Sequence, residues 1–169
     1  MGMPTRRCAA YGAPGVAIVL ASLGLVLAGC HSAPPKPVPE RATLSVAPNV
    51  NPDSSGRPSP VVVRIYQLKD EGAFNNADYF ALMDKEQETL GPTLVEREEY
   101  ELQPGETRVL ELNVAPEARY LGAIAGFRDI RNAHWKALSP TPEKSLKDLI
   151  RTKKLIISFG KAEVKITAG

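Results

Sequence analysis

The chain has 169 residues, of which 21 are lysine or arginine and 19 are aspartate or glutamate, giving a formal net charge of +2 at pH 7. The only charged residues before residue 30 are Arg6 and Arg7, so residues 30–169 carry 19 positive and 19 negative side chains. This balance excludes the strongly basic surface typical of nucleic-acid-binding proteins and the polybasic patch of charge-driven membrane binding. The 140 residues after the first 29 are enough for one domain with its own core.

The N-terminal segment has the order of a secretory signal. Arg6 and Arg7 precede an apolar stretch at residues 16–27, which is shorter than the ~20 residues that a membrane-spanning helix needs. The stretch ends in Leu27-Ala28-Gly29-Cys30, which resembles the lipobox of bacterial lipoproteins. We therefore expect residues 1–29 to be a cleaved signal peptide and Cys30 to carry lipid. An ordinary signal peptide with a chance cysteine is the alternative.

The residues after Cys30 suggest where the protein is held. His31 stands where aspartate retains a lipoprotein in the inner membrane, which favours the outer membrane. Several acyl chains on one cysteine would make the attachment stable. Prolines at 34, 35, 37 and 39 favour an extended polyproline segment, so residues 30–41 are predicted to be a tether. A proline-rich ligand for a partner groove is the less favoured interpretation.

The remaining chain, residues 42–169, is predicted to be a β-sandwich domain. Alternating and β-branched segments predict strands at residues 42–47, 60–68, 94–102, 107–114, 120–127, 133–138, 153–159 and 163–167. The strand at 120–127 is apolar on both faces and should be central, and Trp135 should pack in the core. The last two strands should form a hairpin around Gly160. Between the first two strands, residues 52–59 read as a polar loop.

Helical segments interrupt this pattern. Residues 75–92 contain good helix formers, with Asn75 or Asn76 as the expected N-cap and Gly91-Pro92 as the stop. A second short helix is predicted at residues 142–150. Many short strands with one or two inserted helices predict a mainly β protein, a two-sheet sandwich of about eight strands.

Residues for catalysis or metal binding are sparse. After the signal, the histidines are His31 and His134, which is too few for a metal cluster, and neither a glycine-rich phosphate loop nor a nucleophile elbow occurs. The glutamates at 96, 98, 99 and 101 read as a solvated strand face in preference to an acid–base site. His134 is equally weak as a general base. We therefore predict no enzyme activity, no metal and no cofactor.

Several short motifs occur in order along the domain and together resemble the type VI secretion lipoprotein family TssJ, also called SciN or VasD. They are Val63-Arg64-Ile65-Tyr66-Gln67-Leu68-Lys69-Asp70, Phe74, Ala77-Asp78-Tyr79-Phe80-Ala81-Leu82, Leu102-Gln103-Pro104-Gly105-Glu106, Gly122-Ala123-Ile124-Ala125-Gly126-Phe127-Arg128-Asp129 and Trp135-Lys136.

The resemblance implies a transthyretin-like sandwich at the periplasmic face of the outer membrane. It also implies a partner, the periplasmic domain of the IcmF-like inner-membrane protein TssM, which sits with TssL. In the family the loop between the first two strands contributes to that contact. The matching segment here is residues 52–59, in which we predict Asp53, Ser54, Ser55, Gly56 and Arg57 as contact residues, Asp53 and Arg57 for their exposure and charge.

Two other functions compete with this scaffold role. One is a pilotin-like or ligand-carrying periplasmic lipoprotein that has no part in type VI secretion. The other is a periplasmic hydrolase, for which the sequence offers no catalytic constellation. Neighbouring genes for a tail sheath and an IcmF-like protein would separate the scaffold from the pilotin-like protein.

Overall fold

The structure is a computed structural model that describes residues 36–141 and 154–168. The expected signal peptide, Cys30, His31 and the helix predicted at 142–150 lie outside these residues. In the described part of the chain, no helix is both long and apolar enough to cross a membrane.

The described residues form eight strands and four short helices. The strands are β1 Val38–Val46, β2 Val61–Leu68, β3 Leu94–Leu102, β4 Thr107–Val114, β5 Tyr120–Ala125, β6 Lys136–Pro140, β7 Leu155–Phe159 and β8 Val164–Ala168. The helices are α1 Gly72–Asn76, α2 Tyr79–Asp84, α3 Glu86–Leu90 and a 3₁₀ turn at Gly91–Thr93.

The strands pair into two four-stranded sheets. One sheet has the order β4-β1-β7-β8, in which β1 runs antiparallel to β4 and parallel to β7. The other has the order β3-β2-β5-β6 and is antiparallel throughout. Buried side chains from both sheets fill the space between them. The prediction of a two-sheet β-sandwich of about eight strands is confirmed.

The first strand begins earlier than its sequence pattern predicts. β1 starts at Val38, not at Ala42, and Pro39 is paired opposite Asn113. Residues 38–41, expected to belong to the tether, are therefore part of the sandwich. In the described residues β7 pairs with β1 only from Ala42 onward, so Pro39 lies where a single neighbouring strand is present. Proline is tolerated there because its missing N–H costs no ladder hydrogen bond.

A helical insert, residues 72–93, covers the outer face of the β3-β2-β5-β6 sheet. The single helix predicted at 75–92 is wrong in detail, because three short helices replace it. The expected cap at Asn75 or Asn76 is also wrong, since the side chain of Asp78 accepts the N–H of Ala81 at 2.8 Å. Gly91 ends α3 with φ of 49°, as the Gly-Pro signal predicts.

The insert creates a second core. Six residues of the insert and the sheet form its buried centre: Tyr66, Leu68, Phe74, Leu82, Leu90 and Ile124. β5 is consequently covered on both faces, which confirms its prediction as a central strand. Trp135, expected within a strand, instead precedes β6 and packs, half-buried, against both cores.

Candidate functional site

The loop between β1 and β2 contains the five residues that the sequence singles out, and its tip is built around Asp53. One carboxylate oxygen, Oδ1, accepts the N–H groups of Ser55 at 2.8 Å and Arg57 at 3.0 Å. The other, Oδ2, accepts the guanidinium Nε of Arg57 at 2.9 Å. Backbone bonds from Asp53 N to Arg57 O and from Gly56 N to Asp53 O close the turn. The tip is therefore a compact, internally bonded unit.

The two charged residues of this tip differ in what they offer a partner. The side chain of Asp53 is 19% exposed, whereas that of Arg57 is 81% exposed. Hydrogen bonds from Arg57 and Ser55, with the nearby charge of Arg128, hold the pKa of Asp53 below its usual value. Asp53 is thus an ionised group used to shape the turn. Arg57, Ser54 and Ser55 form the accessible polar surface.

Gly56 is required by the backbone of the tip. It adopts φ of 78°, the left-handed region that glycine enters without steric cost, and a side chain there would strain the turn. The loop predicted at residues 52–59 contains no helix or strand, as expected.

The base of the loop is fixed to the sandwich by a residue that sequence reasoning missed. Asn51 is 4% exposed and has φ of 46°. Its backbone and side chain bond to Pro60, Arg128 and Lys161. A signal was present, because asparagine enters the left-handed region more readily than other residues with side chains, but an asparagine before Pro52 also fits an ordinary exposed turn.

Two further loops lie beside the base of this loop. The segment after β5 contains exposed Arg128, Asp129 and Arg131, and the turn between β7 and β8 contains exposed Lys161. Both carboxylate oxygens of Asp129 accept hydrogen bonds from the side-chain Nδ2 of Asn132, at 3.0 and 2.9 Å. Of the exposed charged residues in these three loops, Arg57, Arg128, Arg131 and Lys161 are basic and Asp129 is acidic.

The other candidate residues that the structure describes take part in local contacts. In the part of the chain that the structure describes, no three metal-ligating side chains lie close enough to hold an ion. His134 takes part through its backbone, which bridges to Glu163 and bonds to Ala162. The β3 glutamates form separate surface contacts, including Glu98 with the hydroxyl of Tyr100 and Glu96 with Gln67.

Glu99 belongs to a charged seam between the insert and its sheet. The Nε of Arg64 lies 2.6 Å from its carboxylate, and Arg97 lies 3.2 Å from the same oxygen. Arg64 Nη1 also donates to the carbonyls of Leu82 and Met83 at 3.0 Å each. These contacts attach α2 to the sheet, so the charges of this seam have a structural role.

Comparison with known proteins identifies the family of this chain. A model of the family T6SS-SciN, described as type VI secretion lipoprotein, VasD, EvfM, TssJ, VC_A0113, matches residues 40–167. The chain belongs to this family. Membership confirms the resemblance that the sequence motifs indicate. It identifies the sandwich as that of a type VI secretion lipoprotein.

Three solved structures agree with that assignment. The lipoprotein TssJ1 from Pseudomonas aeruginosa is 39% identical, with a TM-score of 0.71 over 79% of this chain and 97% of TssJ1. A chain of a structure described as the type VI membrane complex is 25% identical, with a TM-score of 0.65 over 76% and 97%. A chain of the structure described as the TssM C-terminal domain (869–1107) from EAEC is 25% identical, with a TM-score of 0.60 over 76% and 99%. A search of curated proteins finds no significant match.

Proposed function

We propose that this type VI secretion lipoprotein is a non-enzymatic scaffold that ties the inner-membrane TssM/TssL complex to the outer membrane. The observation that carries the proposal is the family match over residues 40–167, supported by 39% identity to TssJ1 across nearly all of that protein. The similarity to a chain in a type VI membrane complex supports a place in such an assembly.

Cys30 is the proposed point of attachment. Its position after Leu27-Ala28-Gly29 fits a lipid-modified cysteine, and the family is one of lipoproteins. We propose that the lipid holds the protein at the periplasmic face of the outer membrane, as His31 favours. β1 begins at Val38, so seven residues, 31–37, separate the cysteine from the sandwich. Fully extended, seven residues span at most ~25 Å, which keeps the domain near the membrane surface.

TssM is the proposed partner and the Asp53–Arg57 tip the proposed contact. The similarity to a chain in the structure described as the TssM C-terminal domain supports the choice of partner. Exposure of Arg57, together with an ionised Asp53 that holds the turn in one shape, suits a preformed polar contact. TssL would be reached through TssM.

A pull-down tests this function directly. The protein from residue 30 onward, carrying Cys30→Ser to keep it in solution, would be mixed with the periplasmic domain of the TssM encoded in the same genome. We expect a stable complex at micromolar concentrations. If the folded protein captures no TssM, the scaffold function is wrong, and the pilotin-like or ligand-carrying alternative becomes the better hypothesis.

A further inference from the structure

We infer that Asn51 is the positioning residue of the TssM-docking loop, an inference that rests on the proposed function. Asn51 is only 4% exposed, so a partner could not contact it directly. Its effect on docking would therefore be indirect, through the orientation of the Asp53–Arg57 tip.

The hydrogen bonds of Asn51 use both ends of its side-chain amide. Nδ2 donates to the carbonyl of Pro60 at 2.8 Å, and Oδ1 accepts the N–H of Arg128 at 2.8 Å. The carbonyl can only accept and the backbone N–H can only donate, so one orientation of the amide satisfies both. Its own N–H donates to the carbonyl of Lys161 at 3.0 Å. One buried residue thus joins three separate loops.

The backbone of Asn51 makes this arrangement possible. Its φ of 46° turns the chain at the point where the loop leaves the sandwich, and asparagine adopts that region more readily than most residues with side chains. A few residues later the chain returns, and Ser59 N donates to the carbonyl of Val50 at 3.2 Å. The end of the loop is therefore bonded to its start, through Ser59 to Val50 and through Pro60 to the side chain of Asn51.

The tip itself does not need Asn51 to keep its shape. Among the residues that the structure describes, the carboxylate of Asp53 has its hydrogen-bond partners within the tip. What Asn51 supplies is the position of that rigid tip relative to the loops that carry Arg128 and Lys161. Removing its side chain should leave a tip of native shape that samples several orientations, and a partner would then lose free energy in selecting one of them.

Asn51→Gly isolates this contribution. Glycine tolerates the φ of 46°, so the substitution removes the two side-chain hydrogen bonds without straining the backbone. Asn51→Asp is the second variant, since it keeps the acceptor for Arg128 N–H and the side-chain volume but places an oxygen against the Pro60 carbonyl. Ile157→Val is the matched control, a mild core change in β7 that lowers stability away from the loop.

The first measurement needs no partner. The protein from residue 30 onward with Cys30→Ser has no remaining cysteine. Spin labels will therefore react only with cysteines that are introduced, Ser54→Cys on the tip and Val109→Cys on β4. Double electron–electron resonance should give a narrow distance distribution for the native background and for Ile157→Val. It should give a clearly broader one for Asn51→Gly and Asn51→Asp. Equal widths in folded variants would overturn the inference.

The second measurement uses the unlabelled proteins and the TssM periplasmic domain. We expect Asn51→Gly to weaken binding fivefold or more, and Ile157→Val to change it less than twofold. A broadened loop with affinity equal to that of the control would show that positioning does not serve docking, and would overturn the inference. If the native protein does not bind TssM, the proposed function fails and the docking role of Asn51 fails with it, whereas the distance widths still decide whether Asn51 positions the loop.

Discussion

The carboxylate of Asp53 holds Arg57 at two places, its backbone N–H at 3.0 Å and its guanidinium Nε at 2.9 Å. The guanidinium Nη2 lies 2.9 Å from the same oxygen as Nε. The exposed charge of Arg57 is therefore presented from a fixed turn, on a side chain that is 81% exposed. Charges four residues apart in a flexible loop would lack this order.

Replacement of residues 53–57 by a neutral Gly/Ser linker of equal length tests the contact. We expect unchanged membrane attachment and a melting temperature close to the native one, because the loop is on the surface and outside the core. Affinity for the TssM periplasmic domain should fall tenfold or more, about 1.4 kcal/mol, as for the loss of one interface hot spot. Titration calorimetry at fixed salt is the measurement.

The control for that replacement lies at the opposite end of the sandwich. Glu117 and Arg119 are exposed in the turn between β4 and β5. Like Asp53 and Arg57 in the tip, they are one acidic and one basic residue. Glu117→Ser with Arg119→Ser should leave the affinity for TssM unchanged. Equal affinity for the native protein and the 53–57 replacement would place the interface elsewhere, with the helical insert as the next surface to mutate.

The ionisation of Asp53 predicts how its contribution to stability varies with pH. Its pKa is lowered in the folded protein, chiefly by the hydrogen bond from the N–H of Arg57. The folded state therefore binds the proton less tightly than the unfolded chain, and the contribution is fully present above the ordinary pKa of 3.8. It is lost as the pH falls through the lowered pKa.

Thermal unfolding of the native protein and Asp53→Asn measures this effect. The difference between their melting temperatures should be small, because Asp53 bonds within a surface turn, and it should stay constant from pH 8 to pH 5 and shrink below pH 4. A difference that already disappears between pH 7 and pH 5 would contradict the assignment of Asp53 as an ionised organiser of the turn.

Much of the sandwich could be predicted because its strands alternate in polarity. Val61, Val63 and Ile65 are buried while Val62 is exposed, as the period of two requires. The hairpin around Gly160 follows the same logic, with Val164 buried opposite Phe159. These positions depend on local pattern, which a single sequence contains.

Other features depend on contacts between distant residues. The start of β1 at Val38 reflects pairing with Val114, and no local pattern predicts a proline-containing strand. The helical segment is divided into three pieces, and carbonyls at the C-terminal ends of α1 and α2 accept hydrogen bonds from sheet side chains, Lys136 and Arg64, that are distant in the chain. Asn51 was missed for the same reason, since its partners Arg128 and Lys161 are far away in the chain.

Lys136 is expected to be the main polar attachment of α1. Its Nζ donates to the carbonyls of Phe74 at 3.2 Å, Asn75 at 2.7 Å and Ala77 at 2.9 Å. Lys136→Met keeps much of the aliphatic chain but leaves these carbonyls without that donor, which should cost about 1–3 kcal/mol of unfolding free energy. Urea denaturation measures the change.

Lys165→Met is the matched control for that variant. Lys165 is exposed on β8, and its ion pair among the described residues is with Glu163 at 2.7 Å, so its loss should cost at most about 1 kcal/mol. Equal costs for the two variants would mean that water replaces Lys136 at the helix carbonyls, and that the insert is held by its apolar contacts alone.

Trp135 links the two cores and should be important for stability. Its ring packs edge-on against Tyr79, with centroids 5.4 Å apart, and the Nζ of Lys136 lies 5.0 Å from its centroid. Truncating a buried tryptophan costs about 3–5 kcal/mol. Because Trp135 is only half-buried, Trp135→Ala should cost about 3 kcal/mol or less, measured as a clear fall in melting temperature. An unchanged melting temperature would make Trp135 a candidate for partner contact.

The role of Cys30 is tested by Cys30→Ser in the full chain. The thiol is the atom that a lipid would modify, and serine preserves the size of the side chain but not that chemistry. We expect the variant to incorporate no labelled palmitate and to leave the membrane fraction. Secretion by the type VI system should also be lost, because a scaffold that is free in the periplasm no longer connects TssM to the outer membrane.

A second variant separates lipid attachment from export. Cys8→Ser removes the other cysteine, which precedes the apolar stretch, and should leave palmitate labelling and membrane fractionation unchanged. Both variants should reach the periplasm, where protease added to osmotically opened cells digests them. Retention of Cys30→Ser in the outer-membrane fraction after a high-salt wash would contradict lipid anchoring, since salt screens the charge contacts that could otherwise hold an unlipidated protein there.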